Sequence, residues 1–274
     1  MSETGIMMDG LSEDALLGGR LRIRQPRDGA RVCLDTLLLA SAVPARPGER
    51  VIEAGCGCGA AVLAVACRVE DCRVQGIDND PGQIELATGN AELNGLDGRA
   101  AFLAATVGDR PQGLRRAQFD HAMANPPYFE PASCCSPPGE GRARAYIGGA
   151  ESLRDWVDFC LDMVRHKGTL TFVHRADRLD SLIASLCGRA GDMAICPVWP
   201  RRGLPAKRVI VQARKGVRGA AMMMPGLVLH DAAGGYTPEA DRLLRGDAVL
   251  ELDRAGWARL AHPDGRRRRR KTCP

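Results

Sequence analysis

The sequence has no long apolar run and few lysines, four against 34 arginines. Residues 1–19 carry acidic side chains and no sustained apolar stretch, which predicts neither a signal peptide nor a transmembrane helix. None of the eleven cysteines is spaced C-x-x-C, and the five histidines do not cluster near them, so we expect no metal site. We interpret these cysteines as small, reduced side chains that are buried in the protein, and this indicates a cytoplasmic protein.

Positive charge is unevenly distributed. The net charge is +5, and the basic run at 266–271 alone contributes six charges, which leaves the remainder near neutral. We expect a basic, disordered tail at 256–274 that either contacts phosphates without specificity or has no function. Two further arginine-rich stretches lie at 20–31 and 201–218, and guanidinium groups suit phosphate binding and base stacking.

The hydrophobic pattern predicts an α/β domain. At 274 residues the chain is long enough for one large domain with a sizeable core. Strands that alternate with helices indicate a parallel sheet, and the last two strands, joined by a loop, indicate a terminal antiparallel hairpin. The predicted strands are 50–54, 73–78, 100–104, 119–124, 168–174, 192–198 and 208–214. The predicted helices are 59–68, 81–94, 152–166 and 177–190.

A glycine-rich loop follows the first of these strands. Residues 53–59 read Glu-Ala-Gly-Cys-Gly-Cys-Gly, and Gly55, Gly57 and Gly59 allow a sharp turn and a close approach to a ligand. The same residues match the dinucleotide fingerprint, so a nicotinamide or flavin enzyme is an alternative. The acidic Glu53 directly before the turn favours a methyltransferase instead.

The second strand ends on a carboxylate. Asp78 lies 23 residues after Gly55, the spacing expected for a carboxylate that binds ribose hydroxyls. We therefore expect Asp78, with the neighbouring Asn79, in a nucleoside-binding site. The alternative is a helix cap, a role for which Asn79 and Asp80 compete, because Pro81 suits a first helical position.

The tetrapeptide at 125–128 is Asn-Pro-Pro-Tyr, and it follows a short buried strand. Such a tetrapeptide suits presenting a planar amino nitrogen to an electrophile. The exocyclic nitrogen of adenine, for example, shares its lone pair with the ring and is a poor nucleophile. An enzyme that transfers a group to it must hold the amino group and draw that lone pair out of the plane. The side-chain oxygen of Asn125 can accept one N–H, and the carbonyl of Pro126, stiffened by Pro127, can accept the other. Tyr128, followed by Phe129, offers a face for an unstacked base.

These motifs resemble those of bacterial tRNA adenine-N6 methyltransferases, which modify an adenosine beside the anticodon of a valine tRNA. The resemblance rests on the segments at 17–26, 31–40, 53–59, 125–129 and 235–240, and it covers roughly residues 15–250. It implies a Rossmann-like class I methyltransferase with a seven-stranded, mostly parallel sheet, and S-adenosylmethionine as cofactor. We expect a flexible N-terminus at 1–14, a methyltransferase domain at 15–255 and the basic tail at 256–274.

The resemblance also implies roles for individual residues. The cofactor is expected to contact Glu53, Gly55, Gly57, Gly59, Asp78, Asn79 and Asn125. Gln25 and Asp35 lie in the segment that covers the cofactor pocket in this family, although loop hydrogen bonding and helix support are alternative roles. The family commonly has a carboxylate after the third strand, which binds the cofactor's adenine. Thr106 stands there instead, and we expect it to contact the cofactor through a weaker hydrogen bond.

The expected substrate is RNA, held by Arg201, Arg202 and Arg208, and the chain is expected to be a monomer that binds no membrane. Protein glutamine-N5 methyltransferases also carry this tetrapeptide. They usually have a helical substrate domain before the glycine loop, whereas 52 residues precede Glu53 here. A ribosomal RNA base methyltransferase and a non-catalytic RNA-binding module with this fold are further alternatives.

Overall fold

The structure, a computed structural model, describes residues 10–28, 31–109, 111, 113–128, 151–252 and, by backbone alone, 258–261. The strands are β1 Leu11–Leu16, β2 Leu21–Pro26, β3 Arg50–Ala54, β4 Arg73–Asp78, β5 Ala100–Ala104, β6 Phe119–Ala124, β7 Val164–Arg175, β8 Ala190–Arg201, β9 Arg208–Lys215, β10 Met222–Met223, β11 Leu227–His230, β12 Val249–Leu252 and β13 Ala258–Ala261. The helices are α1 Leu34–Ala42, α2 Ala60–Arg68, α3 Pro81–Leu93, α4 Leu153–Met163, α5 Leu179–Leu186 and α6 Pro238–Leu244.

The main sheet has the strand order β5-β4-β3-β6-β7-β9-β8-β10, and β11 also pairs with β8. Strands β3 to β7 are parallel, whereas β9 is antiparallel to both β7 and β8. The expected fold is confirmed, because the seven predicted strands are present in a mostly parallel sheet with an antiparallel hairpin. Two short strands, β10 and β11, extend the sheet beyond that prediction.

Strands β3, β4, β5 and β6 have the predicted bounds. Most of β3 and β6 is buried, since helices cover both faces of the sheet, and such strands read as nearly continuous apolar runs. Helices α1 and α2 and the β1–β2 hairpin contribute to the apolar core on one face, and α4 and α5 contribute to the core on the other face.

The predicted helix at 152–166 is three residues too long. Helix α4 ends at Met163, and Val164 begins β7 by pairing with Phe119 of β6. Pairing with β6 therefore ends the helix at this point. The helix predicted at 177–190 likewise shrinks to α5, preceded by a short 3-10 turn, because Ala190 already pairs with Lys215 of β9.

One predicted domain boundary falls inside a strand, and the other, between residues 255 and 256, lies outside the described residues, between β12 and β13. Strand β1 begins at Leu11 and pairs with β2 along its whole length, so the boundary between residues 14 and 15 lies within it. Strand β13 pairs with β12, which draws residues 258–261 of the expected tail into a hairpin. Residues 1–9 and the basic run at 266–271 lie outside the described residues. No helix in the described part of the chain is long and apolar enough to cross a membrane.

The β8–β9 hairpin divides the basic stretch at 201–218. Arg208 pairs with Arg175 at the carboxyl end of β7, whereas Arg214 pairs with Thr169 near its start. The turn at 201–208, here called the basic turn, therefore lies at the same sheet edge as the tetrapeptide that follows β6. Arg214 and Lys215 lie towards the opposite edge, so the stretch does not form one surface.

Candidate active site

A cleft of about 740 Å³ opens at the carboxyl ends of β3, β4 and β6. The strand order reverses between β3 and β6, which is where open α/β sheets bind their ligands. Glu53, Asp78 and Asn125, which end or follow these three strands, all line the cleft. Residues that the sequence separates by up to 72 positions thus meet at one edge, as parallel strands require.

The glycine loop forms one wall of this cleft. Gly55 adopts a φ of +66°, which favours glycine, and a Cβ at this position would overlap the indole ring of Trp156. Gly59 adopts a φ of +83° and caps the N-terminus of α2. Gly55 and Gly57 line the cleft, whereas Gly59 does not, so its part is to start the helix.

Two carboxyl groups, buried Glu53 and half-buried Asp78, hold the loop in shape. Glu53 accepts the backbone N–H of Val62 at 2.9 Å, and burial raises the pKa of Glu53 well above its usual value. Asp78 accepts the N–H groups of Gly57 at 2.8 Å and Asp80 at 3.0 Å, and burial raises the pKa of Asp78 also. Asp80, not Asp78, caps α3, with an oxygen 2.8 Å from the N–H of Gly82.

Thr106 and Asn79 also line the cleft. The hydroxyl of Thr106 donates to Asp109 at 2.7 Å. A carboxylate thus lies three residues after the expected position and is bonded to the Thr106 hydroxyl, although Asp109 itself does not line the cleft.

Asn125 presents an unused acceptor. Its side-chain oxygen is buried and has no hydrogen-bond partner among the described residues, although the side chain lines the cleft. A buried carbonyl without a partner is unfavourable by about 1–3 kcal/mol. The position is therefore suited to a ligand that brings its own N–H.

Tyr128 is tied to two distant parts of the chain. Its hydroxyl donates to the carboxylate of Asp35 on α1, and Nε of Arg208 on β9 donates to the same oxygen at 2.7 Å. The guanidinium carbon of Arg208 lies 4.7 Å from the centre of the Tyr128 ring, and the ring of His174 lies at 5.7 Å. One face of Tyr128 is thus covered, which leaves at most one face for a base.

Burial shifts the pKa values of this cluster in opposite directions. Burial, followed by the nearby Asp35, raises the pKa of Tyr128 well above its ordinary value, so the phenol keeps its proton and remains a donor. Burial, with Arg178 and Arg175 nearby, lowers the pKa of His174 to about 4. The imidazole is therefore neutral at physiological pH.

Two residues expected to cover the cofactor pocket lie outside the cleft lining. Asp35 is buried at the cluster just described, because its carboxylate is used by Tyr128 and Arg208. Gln25 is also buried. Its amide donates to Asp14 at 2.7 Å and accepts the N–H of Val32 at 2.7 Å, so it fixes the loop before α1.

The remaining predicted residues lie near the tetrapeptide or outside the description. Pro127 lines the cleft, and Pro126 and Tyr128 line a small cavity of about 20 Å³ next to it. Phe129 lies outside the described residues. Within the described ranges, no group of three His, Cys, Asp or Glu side chains is arranged to hold a metal ion.

Arg201 and Arg202 are exposed at the end of β8 and the turn that follows it. Neither makes an ion pair within the described part of the chain. Arg208 differs, because its salt bridge to Asp35 makes it part of the Tyr128 cluster. The structure thus separates the three arginines that the sequence grouped as substrate ligands.

The sequence analysis missed Trp156. This residue of α4 packs against the glycine loop and lines both the cleft and the small cavity. Helix α4 starts at a capping box in which Ser152 and Asp155 exchange side-chain and backbone hydrogen bonds, which fixes the orientation of the first turn. The available signal in the sequence was the capping pair Ser152 and Asp155 next to Trp156, one of only three tryptophans.

The chain matches known methyltransferases. Residues 45–154 match a methyltransferase domain family. The tRNA1(Val) (adenine(37)-N6)-methyltransferase of Actinobacillus succinogenes is 26% identical over 230 residues, which cover 82% of this chain and 93% of that protein. The protein with the same name from Yersinia pseudotuberculosis is 26% identical over 240 residues, covering 85% of this chain and 93% of that protein.

A solved structure supports the same fold. The crystal structure of a predicted O-methyltransferase from Agrobacterium tumefaciens has a TM-score of 0.67 at 28% identity, covering 79% of this chain and 98% of that chain. This protein has the class I methyltransferase fold and a methyltransferase domain over residues 45–154, and its resemblance to the bacterial tRNA adenine-N6 methyltransferases is confirmed over more than four-fifths of the sequence.

Proposed function

We propose that this protein transfers a methyl group from S-adenosylmethionine to the exocyclic N6 nitrogen of an adenine in tRNA. The observation that carries the proposal is the buried side-chain oxygen of Asn125, which lines the cleft and has no partner among the described residues. An aromatic amino group brings the N–H that this oxygen lacks. A hydroxyl substrate could also donate an O–H to this oxygen. Its lone pairs are not shared with an aromatic ring, so it does not need the acceptor to free a lone pair for attack.

The residues of the cleft suit the cofactor. A volume of about 740 Å³ is in the range of small-molecule sites, and the glycine loop leaves the backbone open to a ligand. Glu53 and Asp78 supply carboxyl groups whose burial a cationic ligand would offset. When bound, S-adenosylmethionine supplies an electrophilic methyl group. We assign its binding to Glu53, Gly55, Gly57, Asp78, Asn79 and Thr106.

Asn125 is proposed to hold the target nitrogen. Its oxygen accepts one N–H of the amino group, which favours the tetrahedral geometry in which the lone pair leaves the plane of the ring. A second N–H can bind the carbonyl of Pro126. The nitrogen becomes acidic once the new N–C bond forms, so water can take its proton and no strong base is needed. Positioning and fixed dipoles then provide most of the acceleration.

Tyr128 is proposed to stack on the target base. Asp35 and Arg208 hold the ring in place beforehand, so little conformational freedom is lost when the base enters. The base must be unpaired or flipped out, because an amino group inside a helix is inaccessible. An adenosine in a tRNA loop meets that need. The names of the curated relatives support tRNA as the substrate.

Replacing Asn125 with alanine tests the proposal. The variant loses an acceptor that matters most in the transition state, so kcat is expected to fall about 10²- to 10³-fold. Cofactor affinity, measured by calorimetry, should barely change, which controls for folding. Asn125→Asp keeps an oxygen acceptor and should retain more activity than Asn125→Ala. Near-normal turnover of Asn125→Ala would remove the central argument.

A substrate comparison tests the chemical class. Purified tRNA, ribosomal RNA and a glutamine-containing protein are offered with labelled S-adenosylmethionine, and nucleosides from labelled RNA are identified by mass spectrometry. We expect N6-methyladenosine in tRNA. Label that enters only the protein would establish the glutamine alternative, and label that enters only ribosomal RNA would replace tRNA as the substrate.

A further inference from the structure

Tyr236 is an exposed aromatic residue outside the cleft. Its exposed fraction is 47%, which makes it one of three exposed large apolar side chains among the described residues, with Leu204 and Met223. It belongs to the segment at 235–240 that the sequence resemblance includes, and the proposed chemistry gives it no role. An exposed ring of this size contacts water at a cost unless something covers it.

The ring is held in a fixed orientation. It stacks on the imidazole of His230, with ring centres 4.9 Å apart and planes inclined by 22°. The backbones of the two residues also form a bridge. The next residue, Thr237, donates its N–H to the carbonyl of Leu229 at 2.9 Å and caps α6. Tyr236 on His230, here called the stacking platform, is thus organised before any ligand arrives.

Unpaired positive charge surrounds the platform. His230 is in register with Arg201 across the β11–β8 pairing, so the platform lies beside the start of the basic turn. The guanidinium of Arg201 extends towards Gly234, two residues before Tyr236. Arg201, Arg202 and Lys207 are all exposed and make no ion pairs with other described residues, and no acidic residue occurs between 201 and 208. Asp231, the nearby carboxylate, accepts the N–H of Gly235 within its own loop at 3.1 Å.

An aromatic face beside free guanidinium groups is the usual chemistry for binding single-stranded nucleic acid, because every base can stack and every phosphate can pair. The platform lies at the same sheet edge as Asn125. Strands β7, β9 and β8 stand between β6 and β11, so the lateral separation is four strand spacings, roughly 19 Å. At about 3.4 Å per stacked nucleotide this distance corresponds to about six nucleotides, and to fewer in an extended strand.

We propose that the stacking platform binds an unpaired base of the substrate RNA, a few nucleotides from the target adenosine, while Arg201 and Arg202 bind the intervening phosphates. This inference rests on the proposed function, since it assigns a second contact to the same RNA. The protein would then bind an RNA loop through two unpaired bases and not through the target adenosine alone.

Binding of a fluorescent hairpin RNA with adenosines in an unpaired loop tests the platform. Tyr236→Ala should weaken binding about 5- to 150-fold, the range for loss of one stacked base. Tyr236→Phe keeps the ring and should bind within about twofold of the parent. Met223→Ala removes another exposed apolar side chain, on β10 away from this edge, and should have no effect. Calorimetry with S-adenosylmethionine verifies that each variant is folded.

Ultraviolet crosslinking of the same RNA gives an independent readout, with an adduct expected on the peptide that contains Tyr236. If the parent protein methylates RNA while Tyr236→Ala binds it normally, the platform is refuted and the proposed function stands. If the parent methylates only protein, the proposed function fails first, and the platform fails with it. A change in oligomeric state with unchanged RNA affinity would make Tyr236 a protein contact and would also refute the platform.

Discussion

The β1–β2 hairpin and the basic turn are both rich in arginine, but only one of them leaves its arginines free. In the hairpin, Arg22 and Arg24 both pair with Glu13, and Arg31 of the following loop pairs with Asp14. Arg20, between the strands, pairs with Asp247. In the basic turn, Arg201 and Arg202 make no ion pair within the described residues. The two regions are therefore both rich in arginine, but only the basic turn has arginines without an ion-pair partner among the described residues.

The difference follows from the partners that each strand register provides. Glu13 lies opposite Arg24 in the antiparallel β1–β2 pairing, with Arg22 on the same face two residues away. The basic turn joins β8 to β9, and β11, which pairs beside Arg201, carries no carboxylate. We infer that the hairpin arginines stabilise the fold and that the turn arginines bind phosphate.

Neutralising the basic turn should give the largest effect. Arg201→Gln/Arg202→Gln removes two phosphate contacts, so the slope of log K against log salt should fall by about 1.4–1.8 and RNA affinity by about 25- to 60-fold near 0.1 M salt. Fluorescence anisotropy across a salt series measures both. Binding of S-adenosylmethionine should be unchanged. An unaltered slope would show that these arginines do not touch RNA.

Arg208 sharpens the comparison, because it belongs to the turn but is paired. Arg208→Gln should lower kcat about 2- to 10-fold, the equivalent of one hydrogen bond lost from the support of Tyr128, with less change in RNA affinity than the turn variant shows. Asp35→Asn should have the same effect. The double variant should be no worse than either single one, because both act through one cluster. Additive losses would argue against a shared role.

The hairpin should show the smallest effect on RNA. Arg22→Gln/Arg24→Gln removes the same charge as the turn variant, yet RNA affinity should stay within about twofold, because both guanidinium groups are already engaged by Glu13. Thermal stability at neutral pH should fall slightly. A larger loss of RNA affinity than the turn variant shows would reverse the comparison.

This variant also has a pH signature. Hydrogen bonds from Arg22 and Arg24 lower the pKa of Glu13 below its usual 4.5. The pairs therefore stabilise the fold above about pH 4.5, and this contribution is lost as the pH falls through the lowered pKa. The stability difference between parent and variant should vanish in that acid range, as thermal melts across pH would measure.

The sequence predicted the strands that carry the cleft better than the contacts around it. Strands β3 to β6 have the expected bounds. Strands β3, β4 and β6 are largely buried runs that end at or just before Gly55, Asp78 and Asn125, whereas β5 is partly exposed and is followed by Ala105 and Thr106. Glu53, Asp78, Asn79, Thr106 and Asn125 were expected at one site, and all line the cleft. Their individual roles remain predictions. Local pattern was sufficient here because parallel strands end at one edge.

Contacts between distant segments could not be predicted in this way. Asp35 and Tyr128 are 93 residues apart, and Asp35 and Arg208 are 173 apart, so no local pattern links them. Without that information, Asp35 was expected near the cofactor on the family resemblance alone. The basic stretch at 201–218 looked continuous because sequence does not show that a hairpin sends its ends to opposite edges.

The cluster at Tyr128 has a consequence for how this enzyme could be modified. The matched methyltransferase domain, residues 45–154, contains the glycine loop and Tyr128, but neither Asp35 nor Arg208. A core of residues 45–154 transplanted from this chain would carry the glycine loop with it and leave behind both groups that fix the ring of Tyr128. If Tyr128 contacts the substrate as proposed, chimaeras with related methyltransferases should therefore exchange α1 and the β8–β9 hairpin together with the core.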